Sequence, residues 1–247
     1  MDKIDLVKEK LRERKSSEKR LTVLQRTAKE ARDYRVNIRL LSLLLASLMV
    51  LTTLVYIVAV LYRNSGSFTV NIDKYEMTKY GLSLSESREL THMSSQLNAK
   101  ISEKMTNISE KSIAQNVDMI DGEHNGRDYI AYTFYLQNAG ELELSYEYTV
   151  KISNVTNGLD EAIRLRLYVD GVPTTYAKTR SDGLGAEPGT KEFYSEGIMA
   201  RGRINNLQPG GVTKYTVVIW LEGNDPDCID WIIGGTMKVE MEMSVIH

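Results

Sequence analysis

The 247 residues carry a formal net charge of −2, a balance that excludes the strongly basic surface of a nucleic-acid binder. Cys228 is the one cysteine, which excludes an intrachain disulfide. The average conceals a split: residues 1–39 hold 13 Lys and Arg against 7 Asp and Glu, net +6, whereas the remaining 208 hold 18 against 26, net −8.

Residues 1–39 form a basic tail of good helix formers without Gly or Pro. Ile4, Val7 and Leu11, then Leu21, Leu24, Ala28 and Ala31, recur at helical spacing, and the stripe is interrupted near Ser16 and Ser17. A stripe this narrow predicts a solvated helix that sets topology. A helix lying on anionic lipid and a short partner-binding coil are the alternatives.

Residues 40–62, Leu40 to Tyr62, are 23 residues without a charge. At ~1.5 Å of rise each they cover a hydrocarbon core of roughly 30 Å, so they predict a transmembrane helix whose partner is the lipid bilayer. A cleaved signal sequence is the rival. The apolar run exceeds the usual h-region of about 7–15 residues, and Val58-Ala59-Val60-Leu61 lacks a small-residue cleavage pattern, so an uncleaved signal-anchor is favoured. Thirteen basic residues precede the span, and only Arg63, Lys74 and Lys79 fall in the 20 that follow. Basic residues stay on the cytoplasmic side, so the expected orientation places the N-terminus in the cytoplasm and the C-terminal part outside the cell. A surface domain without disulfides then points to a monoderm bacterium.

Residues 63–118 hold the first strands and a long polar connection. Ser67 to Ile72 alternates as a strand, Tyr80 to Leu84 is expected to return beside it, and 85–117 reads as a short helix plus an irregular stretch. Residues 119–247 form the main β body. Ile130, Tyr132, Phe134 and Leu136 alternate up to a turn at Asn138-Ala139-Gly140. Leu142 to Ile152 alternates over six cycles with one buried face. Ile163 to Val169 follows with Arg164 and Arg166 expected to face water, and Asp170-Gly171 is a two-residue hairpin signal. Tyr215 to Leu221 and Met237 to Val245 complete the set. Asp225 reads as an N-cap, Pro226 as the first residue of a short helix and Gly234-Gly235 as its end. The fold class predicted is mainly β: an antiparallel two-sheet sandwich outside the membrane, one transmembrane helix and a helical tail.

Several strings carry a family resemblance: Ile120 to Gly126, Tyr129 to Leu136 with Asn138 and Gly140, Gly158 to Arg164, and Val217 to Cys228 with Ile233-Gly234-Gly235. They resemble a set of Firmicutes surface proteins similar in plan to the camelysin and TasA group of exported β-sandwich proteins. The resemblance spans about residues 66–247 and implies a jelly-roll-like sandwich, a cell-envelope location, and matrix or fibre assembly. Two departures matter. Members of that group usually carry a cleavable signal sequence, whereas this chain shows an anchor. The camelysin name implies a metalloprotease, but His-Glu-x-x-His is absent, so protease activity is not carried over.

Two acidic clusters are candidate metal sites. Asp121, Glu123 and His124 offer zinc donors, but neighbouring residues of one loop rarely converge on an ion, and a polar turn explains them. His92 lies in the polar connection and His247 at the chain end. Glu222, Asn224, Asp225, Asp227 and Asp230 offer oxygens for calcium without the order of an EF-hand loop. Cys228, beside carboxylates and without a nearby histidine, reads as a small buried hydrophobe. No catalytic, cofactor or metal residues are therefore assigned. The expected function is non-enzymatic, presentation of a β-sandwich for envelope or matrix assembly or adhesion. The expected partners are the bilayer and, through sheet edges, itself or other envelope proteins. A transmembrane sensor or adaptor, whose outer domain binds a ligand and whose tail meets a cytoplasmic partner, is the second reading. A metal-dependent hydrolase is the third.

Overall fold

The structure, a computed structural model, describes residues 3–63, 66–99 and 105–246. It divides into two compact units, Met1–Arg63 and Asn64–His247. In the first, α1 runs unbroken from Lys3 to Arg63, 61 residues or about 90 Å of helix at ~1.5 Å per residue. No Gly or Pro interrupts it, and the helix continues through Ser17, whose hydroxyl donates to the Arg14 carbonyl at 2.9 Å. Within it, Ile38–Ala59 is long and apolar enough to cross a membrane, and its side chains lie on the surface of the folded chain. The serine and threonine hydroxyls in this stretch are satisfied internally: Ser42, Ser47 and Thr53 donate to the carbonyls of Arg39, Leu44 and Met49 at 2.8 Å each, and Thr52 to that of Met49 at 2.9 Å. A lipid-exposed helix requires that economy.

The second unit is mostly β. Its elements are β1 (Ser67–Ile72), α2 (Lys74–Tyr80), β2 (Leu82–Ser85), β3 (Gln96–Ala99), β4 (Gly122–Glu123), β5 (Tyr129–Asn138) and β6 (Leu144–Val155). There follow β7 (Ile163–Val169), β8 (Val172–Ala177), β9 (Lys191–Glu192), β10 (Ile198–Leu207), β11 (Val212–Leu221) and β12 (Met237–Ile246). Among the described residues these form two sheets, β10-β6-β12-β1-β3 and β2-β5-β11-β7-β8-β9, with β4 added to β5. From β1 to β3 each strand switches sheet, and the chain switches again from β5 to β6 to β7 and from β10 to β11 to β12.

The alternation read from the sequence places the core. Phe68, Val70 and Ile72 of β1, Tyr132 and Phe134 of β5, Tyr146 and Val150 of β6, Tyr215 and Val217 of β11, and Val239 and Met241 of β12 all point between the sheets. At its centre Phe134 stacks on Tyr215 with ring centroids 5.3 Å apart. The Tyr146 and Tyr215 hydroxyls meet at 2.8 Å, so neither polar tip is left unpaired in the apolar interior. The hairpin at Asp170-Gly171 forms as predicted, with both residues at positive φ between the antiparallel β7 and β8.

Several expectations change. The sheets are mixed rather than purely antiparallel: β1 pairs parallel with β12, and β8 with β9. The segment after β1 does not return beside it. Asp73 caps α2 by accepting from the Tyr75 N–H at 2.7 Å, and β2 then joins β5 in the other sheet. The Ser-rich connection contains β3, which pairs with β1, and two 3-10 turns, Glu110–Ser112 and Val117–Met119. These turns cover the outer face of β5 and β11, where Ile113 and Val117 pack with Ala131, Val218 and Trp220. Both faces of β5 are consequently buried, although its sequence alternates like a one-face strand. Leu142, expected to begin the next strand, is exposed ahead of β6.

Candidate functional site

Ser67 lies beside Lys238 in the parallel β1–β12 pair, so both strands begin at the same end of the sandwich. There the sheets part around a cavity of about 440 Å³. Ile130, Ile163, Ile219 and Leu221 line it from one sheet, Met237 and Val239 from the other, and Leu159 and Ile232 close the side. Two pairs of these, Ile219 with Leu221 and Met237 with Val239, follow directly from the period of two, which sends every second side chain inward.

The rim is the loop from Glu222 to Thr236, and its polar residues are used in holding it. Glu222 accepts from the Trp220 indole N–H at 2.9 Å, from the Glu110 N–H at 3.0 Å and from the Asn224 side chain at 3.0 Å. Asp225 is buried against Arg164 in an ion pair, and its second oxygen accepts from the Asp227 N–H at 2.8 Å. Arg164 was expected to face water. It is instead buried, because the carboxylate of a distant loop reaches across to it. Arg166 lies over the Trp220 ring, 5.3 Å from its centroid, and pairs with Glu110. The hydroxyl and then the backbone N–H of Ser181 bond Asp227 and hold its carboxyl below the usual carboxylate range. The predicted N-cap at Asp225 does not occur. Its side chain closes a turn onto Asp227, and the only helical turn of this loop is the 3-10 segment Asp230–Ile232.

The second half of the loop is pinned at both ends. Asn107 donates to the Cys228 sulfur at 3.3 Å, Asn157 donates to the Ile233 carbonyl at 3.1 Å, and the Thr156 N–H donates to the Thr236 carbonyl while the Thr236 N–H donates to the Thr156 hydroxyl. Cys228 is half-buried at this contact, not the fully buried hydrophobe expected. Held this way, the loop sends Ile232 into the cavity, leaves Ile229 and Ile233 at its mouth and turns Trp231 outward, the three at 59%, 72% and 78% exposure.

The other predicted cluster is part of the fold of its own turn. The His124 ring nitrogens face the carbonyls of Gly122 at 2.9 Å and Val117 at 2.6 Å. Asp121 accepts from the Tyr135 hydroxyl at 2.6 Å and from the Arg88 N–H at 3.0 Å, and Asn125 donates to Glu123 at 3.0 Å. Burial, and then that carboxylate, push the Tyr135 hydroxyl up to about 12. His92 is exposed, and His247 lies outside the described residues. Among the described residues no three of His, Cys, Asp and Glu converge as a metal site would need. What this end of the molecule offers chemically is apolar surface, inside the cavity and on its rim. Sequence reasoning missed the rim, although Ile229, Trp231 and Ile233 alternate within an otherwise acidic loop.

No protein-family model matches the chain, and no curated protein matches it. Among solved structures, a β-glucosidase from Kluyveromyces marxianus is 10% identical over 48% of this chain and 12% of its own, with a TM-score of 0.23. AvmM, which catalyses macrocyclization in alchivemycin A biosynthesis, is 9% identical over 48% of this chain and 79% of its own, with a TM-score of 0.22. Likeness of this order carries no argument about activity.

Proposed function

We propose that the chain is a single-pass membrane protein of a bacterial cell envelope, with its N-terminus in the cytoplasm and its β unit displayed outside. The displayed unit serves adhesion or matrix assembly and is not an enzyme. The supporting observation is the joining of a membrane-length apolar helix segment, Ile38–Ala59, to a β unit that begins at Ser67. The charge split of the sequence supports the orientation. Repeated switching of strands between the sheets supports the jelly-roll-like plan, and with it the resemblance to the camelysin and TasA group. Assembly through sheet edges is supported by β10, which pairs with β6 on one side and ends its sheet on the other.

A second reading, a transmembrane sensor or adaptor, is favoured by one specific feature: α1 passes from the tail into the apolar segment without a break. Protease added to intact protoplasts tests the shared topology. It should digest residues after Arg63 and spare the tail, and a protected β unit would reverse the orientation. Mass spectrometry of the membrane fraction should find the full 28.0 kDa chain. A form beginning near Ser65 would instead identify a cleaved signal sequence.

A further inference from the structure

From the exposed apolar rim we infer a second membrane contact: the loop carrying Ile229, Trp231 and Ile233 seats in the headgroup and acyl boundary of the bilayer that holds the chain's own span. The inference rests on reading Ile38–Ala59 as that span. Three large apolar side chains side by side on a pinned loop are an interaction surface rather than a frayed segment. Their partner is indicated by chain connectivity. Three residues separate Arg63, the end of α1, from Ser67, and at the full extension of the chain the four steps between these two reach at most roughly 14 Å. Gly66 and Ser67 line the same cavity as Ile229 and Ile233, and the parallel register puts the start of β12, into which the loop runs, beside Ser67. The loop is thus at the end of the sandwich at which β1 begins.

Its composition suits a lipid boundary. Trp favours that depth because one edge of the indole is apolar and the N–H reaches the wet side. No Lys or Arg occurs between Asp225 and Met237, so burial of apolar surface drives the contact, not attraction to anionic lipid. Asp230, exposed between Ile229 and Trp231, keeps the insertion shallow and makes anionic lipid no advantage.

The chain has two tryptophans, which makes the test direct. Trp220 is 1% exposed and Trp231 is 78% exposed. The full chain is reconstituted into phosphatidylcholine vesicles, with and without bromine on the acyl chains, and compared with Trp231→Phe. The expected result is that the chain floats with the vesicles and that bromine removes most of the emission assigned to Trp231. Acrylamide in the water should not reach that emission, and added phosphatidylglycerol should leave the result unchanged. Emission that acrylamide reaches and bromine does not would overturn the inference while leaving the anchor intact. Emission shielded from both quenchers would overturn it in favour of a protein partner, such as a second copy. A chain that fails to float would remove the anchor reading, and the inference with it.

Discussion

Arg164 and Asp225 stand 61 positions apart and meet inside the protein, with side chains 4% and 2% exposed. Removing one member of such a pair leaves the other charged and desolvated. Asp225→Ala should therefore cost about 3–5 kcal/mol of unfolding free energy, measured by urea denaturation of the full chain in detergent. Replacing both by apolar residues of similar size should cost much less, because no orphaned charge remains. Acid behaviour follows from two other carboxylates. Ser181 lowers Asp227, and the Thr106 backbone N–H and then its hydroxyl lower Asp128, both bonding the charged form. Each folded value lies below the unfolded one, so their contribution is present above about pH 3.9 and is lost as pH falls through the folded values. Stability should decline on that acid limb, and Asp227→Asn should flatten part of it. An unchanged acid limb in that variant would show that the Ser181 contacts contribute nothing.

At the scale of elements, α2 shows how a turn is enforced. Gly81 ends it at φ 73°, its N–H donating to the Met77 carbonyl at 3.0 Å. A Cβ there would lie 2.7 Å from the Gly140 Cα, in the chain between β5 and β6. Gly81→Ala therefore adds a backbone collision to the cost of a left-handed residue and should destabilise by about 2–4 kcal/mol. Gly183 has a similar φ of 76° but open space around it. Gly183→Ala should therefore cost only about 1–2 kcal/mol, the conformational part alone. Thermal melts of the two variants check the difference, and equal losses would mean that the approach to Gly140 has no consequence.

For the molecule as a whole, the acidic loop is best tested with metal ions. Glu222, Asp225 and Asp227 already have Trp220, Arg164 and Ser181 as partners, so calcium would have to displace bonds that hold the rim in place. EDTA and millimolar calcium should both leave the melting temperature unchanged. One well-formed site at a hundredfold over its Kd would add about 2.7 kcal/mol. A rise of several degrees with calcium, lost in Asp225→Asn and Asp227→Asn, would show that the cluster opens to accept an ion. Stoichiometric zinc lost on mutating His124 would do the same for the Gly122 turn.

Much of this molecule could be read without its structure, for a local reason. Spacing along the chain is enough to show 23 uncharged residues long enough to cross a bilayer, β12 alternating from Met237, or Asp170-Gly171 supplying two positive φ angles. Period and turn chemistry say which side chains share a face, but not what that face will meet. Hence Arg164 was expected in water, since its neighbours alternate inward and nothing nearby announces Asp225. The parallel pairing of β1 with β12 joins Ser67 to Lys238, and the cover that Ile113 and Val117 give to Trp220 comes from a segment with no periodicity. The cavity and its exposed Ile229, Trp231 and Ile233 depend on that pairing and on bonds from Asn107 and Asn157. The sequence by itself determined the apolar segment and the inward faces of β1, β6 and β12, whereas β3 and β10 were not legible in it. Which sheet each element joined, and which apolar residues were left outside, was decided only when contacts distant in sequence closed.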